Sequence, residues 1–347
     1  MMEDKEKKLY PFRFLEDKEQ RPWGEVRYKI ADLGLVDSRV KDGWLADNKL
    51  SELMGTFMER VVGDDSFEYY GLQFPIMIKS FETSGWQPLQ VNVPDAEAEA
   101  RYDSFGKTAL WYVLDAKPGS EIHIGLGRDI SSDEFYRRCL DSSVSEVLNV
   151  IHPKAGDAIL IEPGTLFAAG PGLTIVEISE CSEMTFDIHD FSPSSDHDAS
   201  ALEEAFDLIT YNAAPIPAQN KINPQVNNVP GITLLAQRDE FKVTKMELRD
   251  PLHIFSDQPG PFALYHCLKG EALVRRSSEE LDFQDVTAKE GEVVLIPSEV
   301  NDYYLFPMKE GTILLETTVE RRIDPDSYTG DSTPSEEAKD PHLRNWN

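Results

Sequence analysis

Two stretches decide the fold: GDAILIEPGTLF, Gly156–Phe167, and GEVVLIPSEVND, Gly291–Asp302. Each sets a Gly-acid pair before an apolar run and closes on a proline, which describes a short buried strand between two turns. Each is preceded by a similar apolar strand, TALWYVL at Thr108–Leu114 and FALYHCL at Phe262–Leu268. The same order of strand, turn and strand, met twice in one chain, implies two copies of one β unit.

Working outward, most of the chain reads as short strands punctuated by Gly and Pro. The pattern predicts strands at 74–81, 121–125 and 173–178 in the first copy, and at 232–235, 241–247 and 312–318 in the second. Many short strands with tight turns predict a barrel or sandwich. Three helices are predicted beside it. One spans 48–62, with Leu50, Leu53, Met54 and Phe57 at helical spacing. Another spans 131–148, opened by Ser131, Ser132, Asp133 and Glu134 as cap and first-turn acids. The third spans 199–211. An Asn-, Pro- and Ala-rich connection, 212–230, separates the copies. The acidic, Pro-containing tail 323–347 has little to bury and is expected to be mobile.

The chain has 347 residues, which suits about two domains, and 40% of them are hydrophobic, enough for a core. Its 34 Lys and Arg stand against 63 Asp and Glu, a net charge of −29. Such a chain repels phosphate backbones and anionic membranes, so nucleic acid and membrane are not expected as partners. No apolar run of about 18 residues predicts a transmembrane helix. The opening MMEDKEKKLYPFRF has no apolar segment of the kind that signals secretion. Cys139, Cys181 and Cys267 are widely spaced. They read as buried thiols in a reducing cytoplasm, not as a disulfide framework.

Longer strings narrow the reading. RPWGE (Arg21–Glu25), FPIMIKSFETSGWQPLQVN (Phe74–Asn92), GKTALWYVLDAKPGSEI (Gly106–Ile122) and GDAILIEPGTLFAAGPGL (Gly156–Leu173) occur in the order and spacing of type I mannose-6-phosphate isomerases. The chain resembles that family over roughly residues 8–322. The resemblance implies a mainly β fold of two cupin (jelly-roll) barrels with an inserted α-helical layer. Residues 8–212 would form the first barrel with its helices, and 213–322 the second.

The family holds one zinc on its first barrel through a Gln, a His, a Glu and a second His. The matching positions here are Gln90, Asn92, Ala109 and Phe167. Only Gln90 remains of that ligand set. Zinc wants nitrogen, sulfur or anionic oxygen, so neither zinc nor any other cofactor is expected. His123, two residues after Glu121 on a strand, is a weak substitute ligand. The family's substrate-facing Arg position holds Asp187, which reverses its charge. Lys107 and Glu177 match retained positions and are the catalytic candidates, with Lys79 retained beside them. Gln90, Asn92, Lys107, Trp111, Phe167 and Asp187 form the predicted ligand pocket, because aromatic and amide side chains line sugar sites. His189 and His197, among Asp187, Asp190, Asp196 and Asp198, read as a solvated acidic loop.

The resemblance thus implies an isomerase-like protein of sugar-phosphate metabolism. The missing ligands point to a zinc-free, inactive member that binds a sugar or sugar phosphate for a regulatory role. The alternative expectation is an active isomerase of mannose 6-phosphate and fructose 6-phosphate with a rebuilt site. A structural role through the acidic surface is a third. The oligomeric state is not legible in the sequence.

Overall fold

The computed structural model describes residues 7–191, 204–215, 231–277 and 285–319. The expected tail at 323–347, most of the 212–230 connection, His197 with its flanking acids, and the first part of the third helix lie outside them. Among the described residues, 204–206 are helical.

The fold is mainly β, with the described residues forming four antiparallel sheets stacked as two sandwiches. In the first sandwich a six-stranded sheet runs in the order Asp17–Arg21, Gly24–Ile30, Ile76–Thr83, Leu173–Glu180, Ala109–Ala116, Ala158–Ile161. It faces a five-stranded sheet ordered Thr185–His189, Leu89–Asn92, Leu166–Ala169, Ile122–Leu126, Leu148–Ile151. The two copies seen in the sequence share one pairing scheme. Ala109–Ala116 lies between Leu173–Glu180 and Ala158–Ile161, and Ala263–Lys269 lies between Thr312–Thr318 and Val293–Ile296.

Strand alternation sends successive side chains to opposite faces. On the first six-stranded sheet, Phe81, Ala109, Trp111, Val113 and Ile175 point inward, against Ile122, Ile124 and Phe167 of the facing sheet. Ile76, Ile78, Leu110, Val176 and Ile178 point outward. There they pack against Phe241, Val243, Leu264 and Leu295 of the second sandwich and against Leu50, Leu53, Met54 and Phe57 of a helix. The two six-stranded sheets therefore lie back to back and share a core. The second sandwich closes over its own core, which includes Tyr265, Cys267, Val274, Val294 and Leu305.

Four details differ from expectation. The helix expected at 48–62 ends at Phe57, because Met58 takes φ 48°. Two short helices, Glu59–Val62 and Asp64–Tyr70, follow. The helix expected at 131–148 is Ser132–Leu140, capped by the Ser131 side chain on the Glu134 amide. It stops where the Asp141 carboxylate takes the Ser143 amide, a local bond that competes with helix continuation. An unexpected helix, Asp95–Tyr102, has an acidic sequence that buries only Ala98. Finally, Phe12–Arg13 pairs with Val294 and Leu295. This strand thus lies on the edge of a sheet otherwise built, among the described residues, from residues beyond 231, although the sequence reading placed residue 8 onward in the first barrel. Among the described residues, no helix is long and apolar enough to cross a membrane.

Candidate functional site

The register of the first six-stranded sheet lines up one polar row on its inner face. Tyr28 lies opposite Lys79, Lys79 opposite Glu177, and Glu177 opposite Trp111. All four project toward the facing sheet. There Gln90 lies opposite Phe167 on one side and Asp187 on the other, and Asn92 lies opposite Thr185. A cleft of about 390 Å³ opens between the sheets at this end, lined by Arg21, Tyr28, Lys79, Gln90, Glu177 and Asp187 among others.

Glu177 is the centre of the row and is buried. Its Oε1 faces Lys79 Nζ at 3.0 Å and Lys107 Nζ at 3.6 Å. Its Oε2 accepts from Trp111 Nε1 at 2.9 Å. Burial alone would raise this carboxyl, but the two ammonium groups outweigh it and hold it at about 2. Lys107 is equally buried. Burial and the neighbouring Lys79 charge push its ammonium down to about 8, against the pull of Glu177. Two cations thus share one carboxylate, and Lys79 is the lysine that reaches the cleft.

The predicted pocket residues divide into two groups. Gln90 and Asp187 are at the rim, joined by a bond from Gln90 Nε2 to Asp187 Oδ1 of 2.6 Å. Asn92, Trp111 and Phe167 are buried. Phe167 sits edge-on to Trp111 with centroids 5.4 Å apart, and Trp111 is edge-on to Phe81 at 5.4 Å. Such pairs are worth about 0.5–1.5 kcal/mol each beyond their area burial. Ala109 lies in the same apolar core. Asn92 Oδ1 accepts from Thr185 Oγ1 at 2.8 Å, and its Nδ2 is buried with no hydrogen-bond partner among the described residues.

The four positions where the family resemblance implies zinc therefore hold one amide tied to Asp187, one tied to Thr185, a methyl and a phenyl ring. This donor set does not fit zinc. His123 does not add to it. It lies opposite Ala168, on the outer face of the five-stranded sheet, against Trp86 at 4.4 Å and Phe191 at 5.6 Å. Burial lowers its pKa, although Glu121 acts the other way. Among the described residues, no three His, Cys, Asp or Glu side chains gather as metal ligands. His189, read from sequence as part of a solvated loop, is buried and packs edge-on to Phe191 at 5.4 Å. The three cysteines are buried and free.

Sequence reasoning missed Arg21, Trp23 and Tyr28 as lining residues. The parity of the strand carried a signal: Phe81 faces the core, so Lys79 faces it too.

No family model matches the chain. The mannose-6-phosphate isomerase of Streptococcus mutans is 26% identical over 236 residues, covering 66% of this chain and 70% of the relative. The probable mannose-6-phosphate isomerase GmuF of Bacillus subtilis is 28% identical over 218 residues, 61% of this chain and 66% of the relative. Among solved structures, the mannose 6-phosphate isomerase of Bacillus subtilis superposes with a TM-score of 0.72 at 20% identity, over 89% of this chain and 99% of that one. A zinc-bound mannose 6-phosphate isomerase superposes with a TM-score of 0.69 at 12% identity, over 90% and 100%. The fold is that of the cupin-type phosphomannose isomerases.

Proposed function

We propose, for a chain whose homologues and structural neighbours are mannose-6-phosphate isomerases, a cytoplasmic protein of sugar-phosphate metabolism that binds a sugar or sugar phosphate in the cleft and has lost both zinc and isomerase activity. It acts as a sensor, a scaffold or a partner of an active enzyme. One observation carries this reading: Phe167 is packed edge-on to Trp111 inside the apolar core where the family resemblance puts the metal.

Aldose–ketose isomerisation moves a proton between C1 and C2 and must stabilise the enediolate oxygen. A metal ion supplies that stabilisation in the related chemistry. The lysines at the retained positions, Lys79 and Lys107, are both already turned onto Glu177. A binding role asks less of the site. Lys79 and Arg21 offer cations at the cleft, and Gln90 and Tyr28 offer hydrogen-bonding groups.

The test is zinc content by plasma mass spectrometry on protein purified without chelator, with a coupled mannose 6-phosphate isomerase assay and calorimetric titration on the same sample. The expected result is zinc far below one per chain, no turnover above blank, and saturable binding of mannose 6-phosphate. Zinc near one per chain with turnover overturns the proposal in favour of an active isomerase. Absence of saturable binding removes the ligand and leaves a structural role.

A further inference from the structure

The outer face of the four-stranded sheet in the second sandwich is independent of the cleft. Its strands run Leu252–Phe255, Asp302–Pro307, Glu271–Arg276, Val286–Lys289. Leu252–Phe255 is an outermost strand, paired among the described residues with Asp302–Pro307 alone. Its Leu252 and Ile254 turn inward against the core, so His253 and Phe255 turn outward.

That outer face carries a row of rings. Phe255 lies 6.0 Å from His253, His253 stacks on Tyr304 at 4.3 Å and 10°, and Tyr304 lies 5.7 Å from Phe306. Phe255 is 60% exposed at one end of the row. The charges around them cancel locally. Glu271 pairs with Lys309, Arg275 with Asp285, and His253 bonds to Asp302 at 2.8 Å. In a chain of net charge −29, a balanced and partly apolar face is where a like-charged copy meets least repulsion.

We propose that this face is a homodimer interface in which two copies join edge to edge through Leu252–Phe255, making one eight-stranded sheet across a twofold axis. An open edge strand is a template for another strand, and a twofold interface uses one patch on both subunits. Residues directly opposite in an antiparallel pair share a face; among the registers that keep the faces matched, the one centred on Ile254 sets His253 against Phe255 of the other chain and is the one proposed. The row of rings then continues across the axis, with Tyr304 and His253 of one copy against Phe255 of the other. The contact area is small, so the dimer is weak and exchanges readily.

The test is light scattering with size-exclusion chromatography on the full chain, from about 1 µM to about 200 µM. The expected result is a shift from one chain mass toward two as concentration rises. Phe255→Lys should raise the dissociation constant at least about tenfold with the melting temperature unchanged, because the side chain is exposed. His253→Cys with Phe255→Cys should give a disulfide-linked dimer on mild oxidation, since the natural cysteines are buried. A single-chain mass at every concentration overturns the proposal. So does a dimer that Phe255→Lys leaves unchanged or that the paired cysteines fail to link.

Discussion

Trp111 and Glu177 sit directly opposite each other on neighbouring strands, and the indole nitrogen donates to the carboxylate at 2.9 Å. The second sandwich repeats the arrangement at matching strands. Tyr265 lies opposite Glu316 and donates to it at 2.8 Å. What differs is the next strand over. Glu177 has Lys79 opposite it, whereas Glu316 has Thr244. One scaffold thus holds an aromatic donor and a carboxylate in both halves, and the first half places two lysines on the acid.

Removing that acid should therefore cost more than removing its donor. Glu177→Gln leaves the buried Lys107 ammonium and the partly buried Lys79 ammonium without their shared anion and is expected to destabilise the fold by about 3–5 kcal/mol. Trp111→Phe keeps the ring but loses one charge-assisted bond, at about 1.5–3 kcal/mol. Urea unfolding of both variants checks the order, and an equal cost for the two contradicts it.

The same row sets two pH windows. Glu177 is held at about 2 in the folded state against 4.5 for a free carboxyl. Its stabilising share is fully present above 4.5 and is lost as pH falls toward 2. Lys107 is at about 8 when folded and 10.5 when free. Between those values the unfolded chain holds the extra proton, so this group makes stability rise with pH from 8 to 10.5. Urea midpoints across pH should flatten in the acid window for Glu177→Gln and in the alkaline window for Lys107→Met.

Phe167→Ala should leave a cavity beside Trp111 and cost about 3–5 kcal/mol. If the ring is only a plug, zinc content and turnover stay at blank level in the variant. Calorimetry for stability and metal analysis on one preparation separate the two effects.

Asp187 places a negative charge on the rim, bonded to Gln90. Asp187→Asn should tighten binding of a sugar phosphate by about three- to tenfold at low salt, with less gain at high salt. A neutral sugar should show no change. Titration calorimetry with both ligands decides.

His123→Leu should be neutral or stabilising by about 1 kcal/mol, because Nδ1 is buried without a hydrogen-bond partner among the described residues. Were His123 a ligand in a rebuilt site, the variant would lose metal instead. Thermal unfolding with metal analysis tells them apart.

Legibility in the sequence followed physical locality. The strand pairs at Ala109–Ala116 with Ala158–Ile161, and at Ala263–Lys269 with Val293–Ile296, were readable because apolar runs between Gly and Pro carry their own boundaries. That Ala109 and Phe167 carry no metal-donor atoms was readable residue by residue. The end of the helix at Leu140 was not, since one Asp141–Ser143 bond decided it. Nor was the orientation of His123. The register is irregular between His123 and Leu126, and a two-residue period cannot say which face of a doubly covered strand meets a cleft. The sharing of Glu177 by Lys79 and Lys107 joins residues far apart in the chain, which no local pattern reports.

The short strand Phe12–Arg13 closes a sheet whose partner residues, Val294 and Leu295, lie far from it along the chain. During synthesis it is made well before Val293–Ile296 and must wait for that strand before it can dock. Long-range closure of this kind is slow. Until it happens, the outer edge of Val293–Ile296 is open to strangers in a crowded cell. Substituting Phe12 and Arg13 with prolines would therefore act on the far half of the protein and uncover an aggregation-prone border there.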